Sequence, residues 1–433
     1  MRSPSYQRRG AAVPPSSSSV WYWTPLLATP FIEPNIYANA LARDLYVLAA
    51  ALFAAAATMQ HPHPITHPPN RYSWLFLLLC LLPALLLLAT ESAQAPWYVW
   101  RQTLYLTAVW MLFAMMRTES HLLFASREWT LLFTITAYLY LLYAITLAWQ
   151  LQWFDNGESW HFWAERSAHF PGPLQQQNQQ ALFLVITTTL IWRESLRSNQ
   201  QRYWEIVSLL PIAGIFLTAS RSGAIVLLLA ALLTCHFSRW QPHSALMLLR
   251  TAIAGSLLSI AILAITPNQT DGGVIDHIQS ELTDSAPSIR MMVWQISLQL
   301  WLQHPWLGVG WGNLPAHLYD TAATVMATHP EFTTIANHLS GGVTQAHNII
   351  LQFLVEGGVT AAAALLLLAI ALGRRLQQWY HSPPTIASGA VTGAICAIVI
   401  LAHGMVSVTT MEPLFMVLLA LSLAACFADD TAR

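Results

Sequence analysis

Along this chain, apolar runs of membrane-spanning length alternate with short polar connectors, and one connector breaks the pattern. The runs cover residues 20–32, 40–59, 73–90, 97–116, 129–151, 179–192, 204–219, 222–237, 247–266, 348–372, 387–407 and 412–427. A helix needs about 20 mostly apolar residues to cross the hydrocarbon core. Most of the twelve approach that length, so the pattern predicts an all-α polytopic membrane protein of about twelve transmembrane helices. The exceptional connector runs from Thr266 to Ala346. Polar loops of this length are uncommon unless they carry function or are disordered.

Two signals inside the loop predict order. Between Ser288 and Gln303, Ile289, Met292, Val293, Ile296 and Leu300 recur at the three-and-four spacing of one helical face, which turns Arg290 away from it. The segment His304-Pro305-Trp306-Leu307-Gly308-Val309-Gly310-Trp311-Gly312-Asn313 follows, and its three glycines allow backbone angles and close approaches that side chains forbid. The connector is therefore predicted as one large helical outer loop.

Composition agrees with the membrane reading: of 433 residues, 55% are hydrophobic and 9% charged. All 19 basic residues are arginine, and their distribution orients the chain. With the amino terminus inside, Arg2, Arg8, Arg9, Arg71, Arg117, Arg127, Arg193, Arg197, Arg202, Arg239, Arg250, Arg374, Arg375 and Arg433 fall on the cytoplasmic side, as the positive-inside bias requires. Arg43, Arg101, Arg166, Arg221 and Arg290 are left outside, against the bias, and call for another explanation. The first run is short and contains Pro25 and Pro30, so a cleaved signal peptide is an alternative to a first span. A net charge of −1 and the absence of a basic run give no nucleic-acid footprint. All four cysteines lie in apolar runs, which predicts neither a structural disulfide nor a cysteine metal site.

Candidate chemistry gathers at the outer ends. The hairpin of the seventh and eighth spans has Ser220-Arg221-Ser222-Gly223 at its tip, where a lone arginine either binds a ligand or snorkels to lipid phosphate. The connector 151–178 carries Trp153, Trp160, His161, Trp163, Glu165 and Arg166, an interfacial aromatic belt or a sugar-stacking surface. It leads into Gln175, Gln176, Gln177, Asn178, Gln179 and Gln180, amides that belong at a polar cavity or against other helices. His347 stands where the loop returns to the membrane, and Glu356 lies about 13 Å further along that helix. An intramembrane carboxylate is expensive unless paired or placed at a cavity. Asp271, Asp276 and Asp284 are too scattered to read as paired metal ligands, so no metal and no cofactor is expected. Arginines suit a diphosphate, because the planar guanidinium makes bidentate charge-assisted bonds. A neutral histidine beside it can take a proton from a hydroxyl.

Three stretches in order resemble the O-antigen ligase superfamily, which includes O-antigen ligases, bacterial O-oligosaccharyltransferases and O-antigen polymerases. They are Thr218-Ala219-Ser220-Arg221-Ser222-Gly223, Arg290 and Trp294 ahead of the glycine turn, and Ala346-His347-Asn348 through Glu356-Gly357-Gly358. The resemblance covers roughly residues 170–420. It implies a metal-independent, inverting glycosyltransferase that moves a glycan from undecaprenyl diphosphate to an acceptor hydroxyl. Arg221 and Arg290 would hold the diphosphate, His347 would act as base, and Arg166, Gln176, Asn178 and Glu356 complete the candidate substrate-binding set. It also implies the bacterial inner membrane with the site facing the periplasm. The layout becomes a cytoplasmic tail (1–19), nine spans (20–265), a periplasmic loop (266–346), three spans (347–427) and a second tail (428–433).

The amide run and residues 403–415 look more like the protein-glycosylating branch, which favours a serine or threonine of a pilin-like protein as acceptor. A lipid A-core acceptor or a growing O-antigen is the alternative. A transporter or lipid flippase would also need many spans. Such proteins usually place polar groups near the midplane on broken helices and in internal repeats, and no repeat is visible in this sequence.

Overall fold

The computed structural model describes residues 20–32, 40–59, 71–89, 95–117, 119–153, 174, 176–238, 242–265, 289–333, 335, 345–381, 388–407 and 412–428. Arg166, the tryptophan-rich connector around it, the aspartates of the outer loop and both tails lie outside these residues. All the described secondary structure is helical. Each of the twelve apolar runs is a helix: α1 (Thr24–Ile32), α2 (Ala40–Thr58), α3 (Arg71–Ala89), α4 (Pro96–Met115), α6 (Arg127–Trp153), α7 (Gln177–Arg197), α8 (Gln201–Leu217), α9 (Arg221–Phe237), α10 (Pro242–Ile265), α13 (Ile349–His381), α14 (Gly389–His403) and α15 (Pro413–Cys426). A short α5 (Ser120–Ala125) joins α4 to α6, and the outer loop contributes α11 (Ile289–Gln303) and α12 (Leu314–Thr328). Among the described residues, Arg127–Ile145, His243–Ile262 and Ile349–Tyr380 are long and apolar enough to cross a membrane on those grounds alone. Shorter apolar helices lie in α2, α3, α9, α14 and α15.

The bundle is built around α7, which packs against α6, α8, α9 and α14 and is buried from Gln179 to Ser195. A helix enclosed by protein need not be apolar, and α7 carries Thr187, Thr188 and Thr189 at its middle. Their hydroxyls donate to the carbonyls four residues earlier, at 3.0, 2.7 and 2.9 Å, and so need no partner on a neighbouring helix. Towards the far end of α7, the buried Arg193 pairs with Glu194 and donates to the Ser126 carbonyl at 2.8 Å and the Thr130 hydroxyl at 3.0 Å. That charge is paired inside the bundle, with all of its hydrogen bonds made through one terminal nitrogen.

The segment between α10 and α13 has a core of its own. Met292, Val293, Ile296 and Leu300 of α11 are buried against Leu314, Leu318, Ala322 and Val325 of α12, with Val309, Phe332, Ala346 and Val355 completing the cluster. The face predicted from the sequence is thus the buried one, except that Ile289 at the helix start is exposed, as is Arg290. Ala346 and Val355 belong to the return into α13, so the same cluster fixes α11 relative to that helix.

Candidate functional site

Backbone chemistry joins the loop to the membrane helix. Gly358 interrupts α13 with φ 64° and ψ −163°, a region open essentially only to glycine. The break frees backbone groups, and the glycine turn takes them up. Val309 N–H donates to the Val355 carbonyl at 2.9 Å, Gly310 N–H to that of Glu356 at 2.9 Å, and Val359 N–H to that of Pro305 at 2.9 Å. Gly308, Gly310 and Gly312 all have positive φ, at 65°, 94° and 78°. A Cβ on Gly308 would lie 2.5 Å from the carbonyl carbon of Glu356, and one on Gly358 would collide with the Trp306 carbonyl. Gly358→Ala is therefore expected to cost roughly 1 to 3 kcal/mol through backbone strain alone. The loss should be read as a lower melting temperature together with faster proteolytic cutting in the 304–313 turn.

Glu356 is fully enclosed and serves this junction. Its carboxyl accepts from Leu314 N–H at 3.4 Å. Leu314 is the first residue of α12, so the carboxyl lies at the positive end of that helix. Gln352 accepts from Ala346 N–H at 2.7 Å, just before His347. The candidate substrate ligand Glu356 is thus engaged with the loop backbone and, with Gln352, fixes where α12 and His347 stand.

Above this junction the starts of α7, α9 and α13 meet the end of α14. Ser220 caps α9 by accepting from Gly223 N–H at 3.0 Å, with the preceding Ala219 at φ 51°. Its hydroxyl donates to Asn178 Oδ1 at 2.6 Å, and that of Ser222 donates to the same oxygen at 3.2 Å. Ser222 also lies 3.1 Å from His403 Nε2. Gly223 allows the close approach of α9 to α7, since a Cβ there would stand 2.5 Å from the Ala181 methyl.

On the neighbouring helix, Asn348 caps α13 by accepting from Ile350 and Leu351 N–H at 2.9 and 3.1 Å. Its amide donates to the Met405 carbonyl at 3.0 Å, and Ile349 N–H donates to that of Gly404 at 2.8 Å. These bonds place His347, at φ 52° and half-buried, beside the end of α14. Burial first, and the Arg290 guanidinium second, hold His347 down at about 4, so it is neutral at pH 7. Arg221 and Arg290 are both exposed, one the first residue of α9 and the other the second of α11. A cation in the first turn adds to the positive pole of the helix rather than offsetting it, so each arginine and its helix end favour an anion together.

Of the residues singled out from sequence, the structure brings Arg290 and His347 into electrostatic contact and seats Asn178 on the Ser220–Ser222 tip beside Arg221. Gln176, exposed just before α7, accepts from the Gln179 amide at 3.1 Å. His403 is the participant that sequence reasoning missed. Its only signal is a histidine closing an apolar run.

The match to known families falls across this arrangement. Residues 206–366 fit the family model described as O-antigen ligase. Over that stretch the chain is similar to O-antigen ligases. No curated protein sequence matches the chain. The matched stretch begins in α8 and ends in α13, so it contains Arg221, Arg290, His347 and Glu356. Asn178 and His403 come from helices on either side of it, and the site is completed by parts of the chain outside the matched stretch. The O-antigen ligase family is glycosyltransferase-like, with a glycan donor and a lipid or protein acceptor.

Proposed function

We propose that the protein is an inverting glycosyltransferase of the bacterial inner membrane that transfers a glycan from undecaprenyl diphosphate to a hydroxyl acceptor at the periplasmic face. The observation that carries this reading is the meeting of the His347 turn with the end of α14, through Asn348 and Ile349, where His403 lies 3.1 Å from Ser222 of the arginine-bearing tip of α9. The acceptor oxygen attacks the anomeric carbon from the side opposite the leaving group. The bond from that carbon to the diphosphate oxygen breaks as the new one forms, which inverts the centre. His347 takes the hydroxyl proton, and the negative charge arriving on the lipid diphosphate is held by Arg221 and Arg290. Guanidinium groups supply the charge neutralisation that a divalent cation supplies elsewhere, so the step is metal-independent.

Glu356 and Gln352 act by position, holding the loop so that α11 presents Arg290 to His347. The twelve helices form twelve spans with residues 266–346 outside, in the orientation that the arginine asymmetry favours. The amide run at the start of α7, together with residues 403–415, favours a serine or threonine of a pilin-like protein as the acceptor.

Purified protein should transfer label from an undecaprenyl-diphosphate glycan to a pilin in the presence of a chelator. Transfer only to lipid A-core, or only to the end of another glycan, would replace the protein acceptor and leave the chemistry standing. Failure with all three acceptors, with the donor demonstrably bound, would overturn the reading.

A further inference from the structure

The glycine turn between α11 and α12 is anchored deep in the bundle. The Trp311 indole N–H donates to the Cys80 carbonyl at 2.8 Å. Cys80 stands nine residues before Ala89 at the end of α3, and so about 13 Å in along that helix. The Trp311 ring also meets Phe353 edge-on at 5.0 Å, well inside α13, close to the Val355 and Glu356 carbonyls that the turn bonds. Gly310 packs against Leu87 and Val99, and Gly312 against Tyr98 and Gln102, where the end of α3 faces the start of α4. Irregular backbone is tolerated at membrane depth only where protein satisfies it. This turn meets that condition. Besides its three bonds to α13, Gly308 N–H donates to the His304 carbonyl at 3.0 Å, Asn313 N–H to that of Gly310 at 3.1 Å and the Asn313 amide to that of Val309 at 3.0 Å.

One side of the same segment faces away from the protein. Leu298 and Leu302 lie on α11 opposite its buried face, and with Trp306 they repeat every four residues, all exposed, Leu302 to 58% and Trp306 to 73%. The one charged residue of α11 is Arg290, at the other end of the helix. The bond from Val359 N–H to the Pro305 carbonyl sets Trp306 beside Val359, and exposed apolar side chains continue along α13 at Val359, Leu366 and Ile370. That helix is long and apolar enough to cross a membrane. Its exposed side is therefore a surface for lipid, and Trp306, Leu302 and Leu298 extend it.

We propose that residues 298–313 dip into the outer leaflet as a re-entrant turn, with Leu298, Leu302 and Trp306 against acyl chains. This rests on the reading above, in which α3, α4 and α13 span the membrane and residues 266–346 enter and leave on the outer side. Continuity with α13 selects lipid as the occupant, because a soluble partner would have to lie against a bilayer helix to cover the same face. An indole at the rim of that face suits the level where hydrocarbon meets headgroups.

The test uses the full-length protein in vesicles of phosphatidylethanolamine and phosphatidylglycerol, with a nitroxide on one added cysteine at a time. The native cysteines at 80, 235, 396 and 426 are buried, and the parent protein treated with the same label sets the background. Collisions with dissolved oxygen, which concentrates in hydrocarbon, are compared with collisions with a water-soluble nickel chelate. Leu366→Cys, on the exposed side of α13, is the lipid reference, and Ala323→Cys, exposed on α12, is the aqueous one. At Trp306→Cys and Leu302→Cys the oxygen-to-nickel ratio should stand several-fold above that at 323 and approach that at 366. Both positions are exposed, so the substitutions leave the loop core and the backbone bonds of the turn in place, and either site alone decides. Aqueous ratios at 302 and 306, with 366 in lipid, overturn the insertion alone. Shielding of both sites from oxygen and nickel alike also overturns it, since protein would then cover the face. An aqueous ratio at 366 overturns the span of α13, and the insertion with it.

Discussion

His347→Ala is expected to lower the turnover number by roughly 10²- to 10⁴-fold, the usual contribution of a positioned general base, while donor binding stays intact. A base held at about 4 is weak in the free protein, and the two causes of its depression explain how it strengthens. Burial is permanent, but the contribution of Arg290 is cancelled once a diphosphate pairs with that guanidinium and brings its own negative charge. Donor binding therefore raises the proton affinity of His347 towards the range useful near neutral pH. Two pH profiles should separate the states. The acid limb of kcat/KM, which reports the free protein, should lie near pH 4, and that of kcat, which reports the donor complex, should lie higher. Replacing Arg290 with glutamine removes a neighbouring positive charge and should move the kcat/KM limb upwards. Loss of donor binding together with activity in His347→Ala would assign the histidine to the diphosphate instead.

Arg290→Lys and Arg221→Lys are each expected to lose roughly 30- to 1000-fold in kcat, although the charge is retained. Lysine offers a point charge in place of a planar fork, and the interaction at stake is the one that tightens as the diphosphate oxygen gains charge in the transition state. Both side chains are exposed, so neither substitution should disturb the loop core or the bundle. Steady-state kinetics with a melting curve on each variant checks both parts. Near-normal turnover in both lysine variants would mean that the arginines do not clamp the leaving group.

The helices themselves were legible because the apolar runs and the three-and-four face of α11 are local signals. The glycine turn was legible as a turn, and all three glycines adopt the positive φ that only their residue type tolerates cheaply. What sequence could not supply was partners. A carboxylate at Glu356 demanded compensation, but its partner is the backbone N–H of Leu314, some 40 residues upstream, and backbone carries no residue-type signature. His403 meets Ser222 across 181 positions, a pairing set by how α9 and α14 cross. α12 did leave a mark, since Leu314, Leu318, Ala322 and Val325 recur at helical spacing after a start marked by Pro315. Interspersed threonines and alanines dilute that pattern enough to let it pass as loop.

The three strand-like hydrogen bonds between the glycine turn and the break in α13 make residues 304–313 and 355–359 a single inheritance unit. A chimaera that imported the outer loop of a relative but kept the recipient's own α13 would set a foreign turn against an unrelated helix break, with backbone donors and acceptors out of register. The loop cannot be exchanged as a cassette bounded by the membrane surface. Its true boundary lies inside the bilayer helix, at Val359.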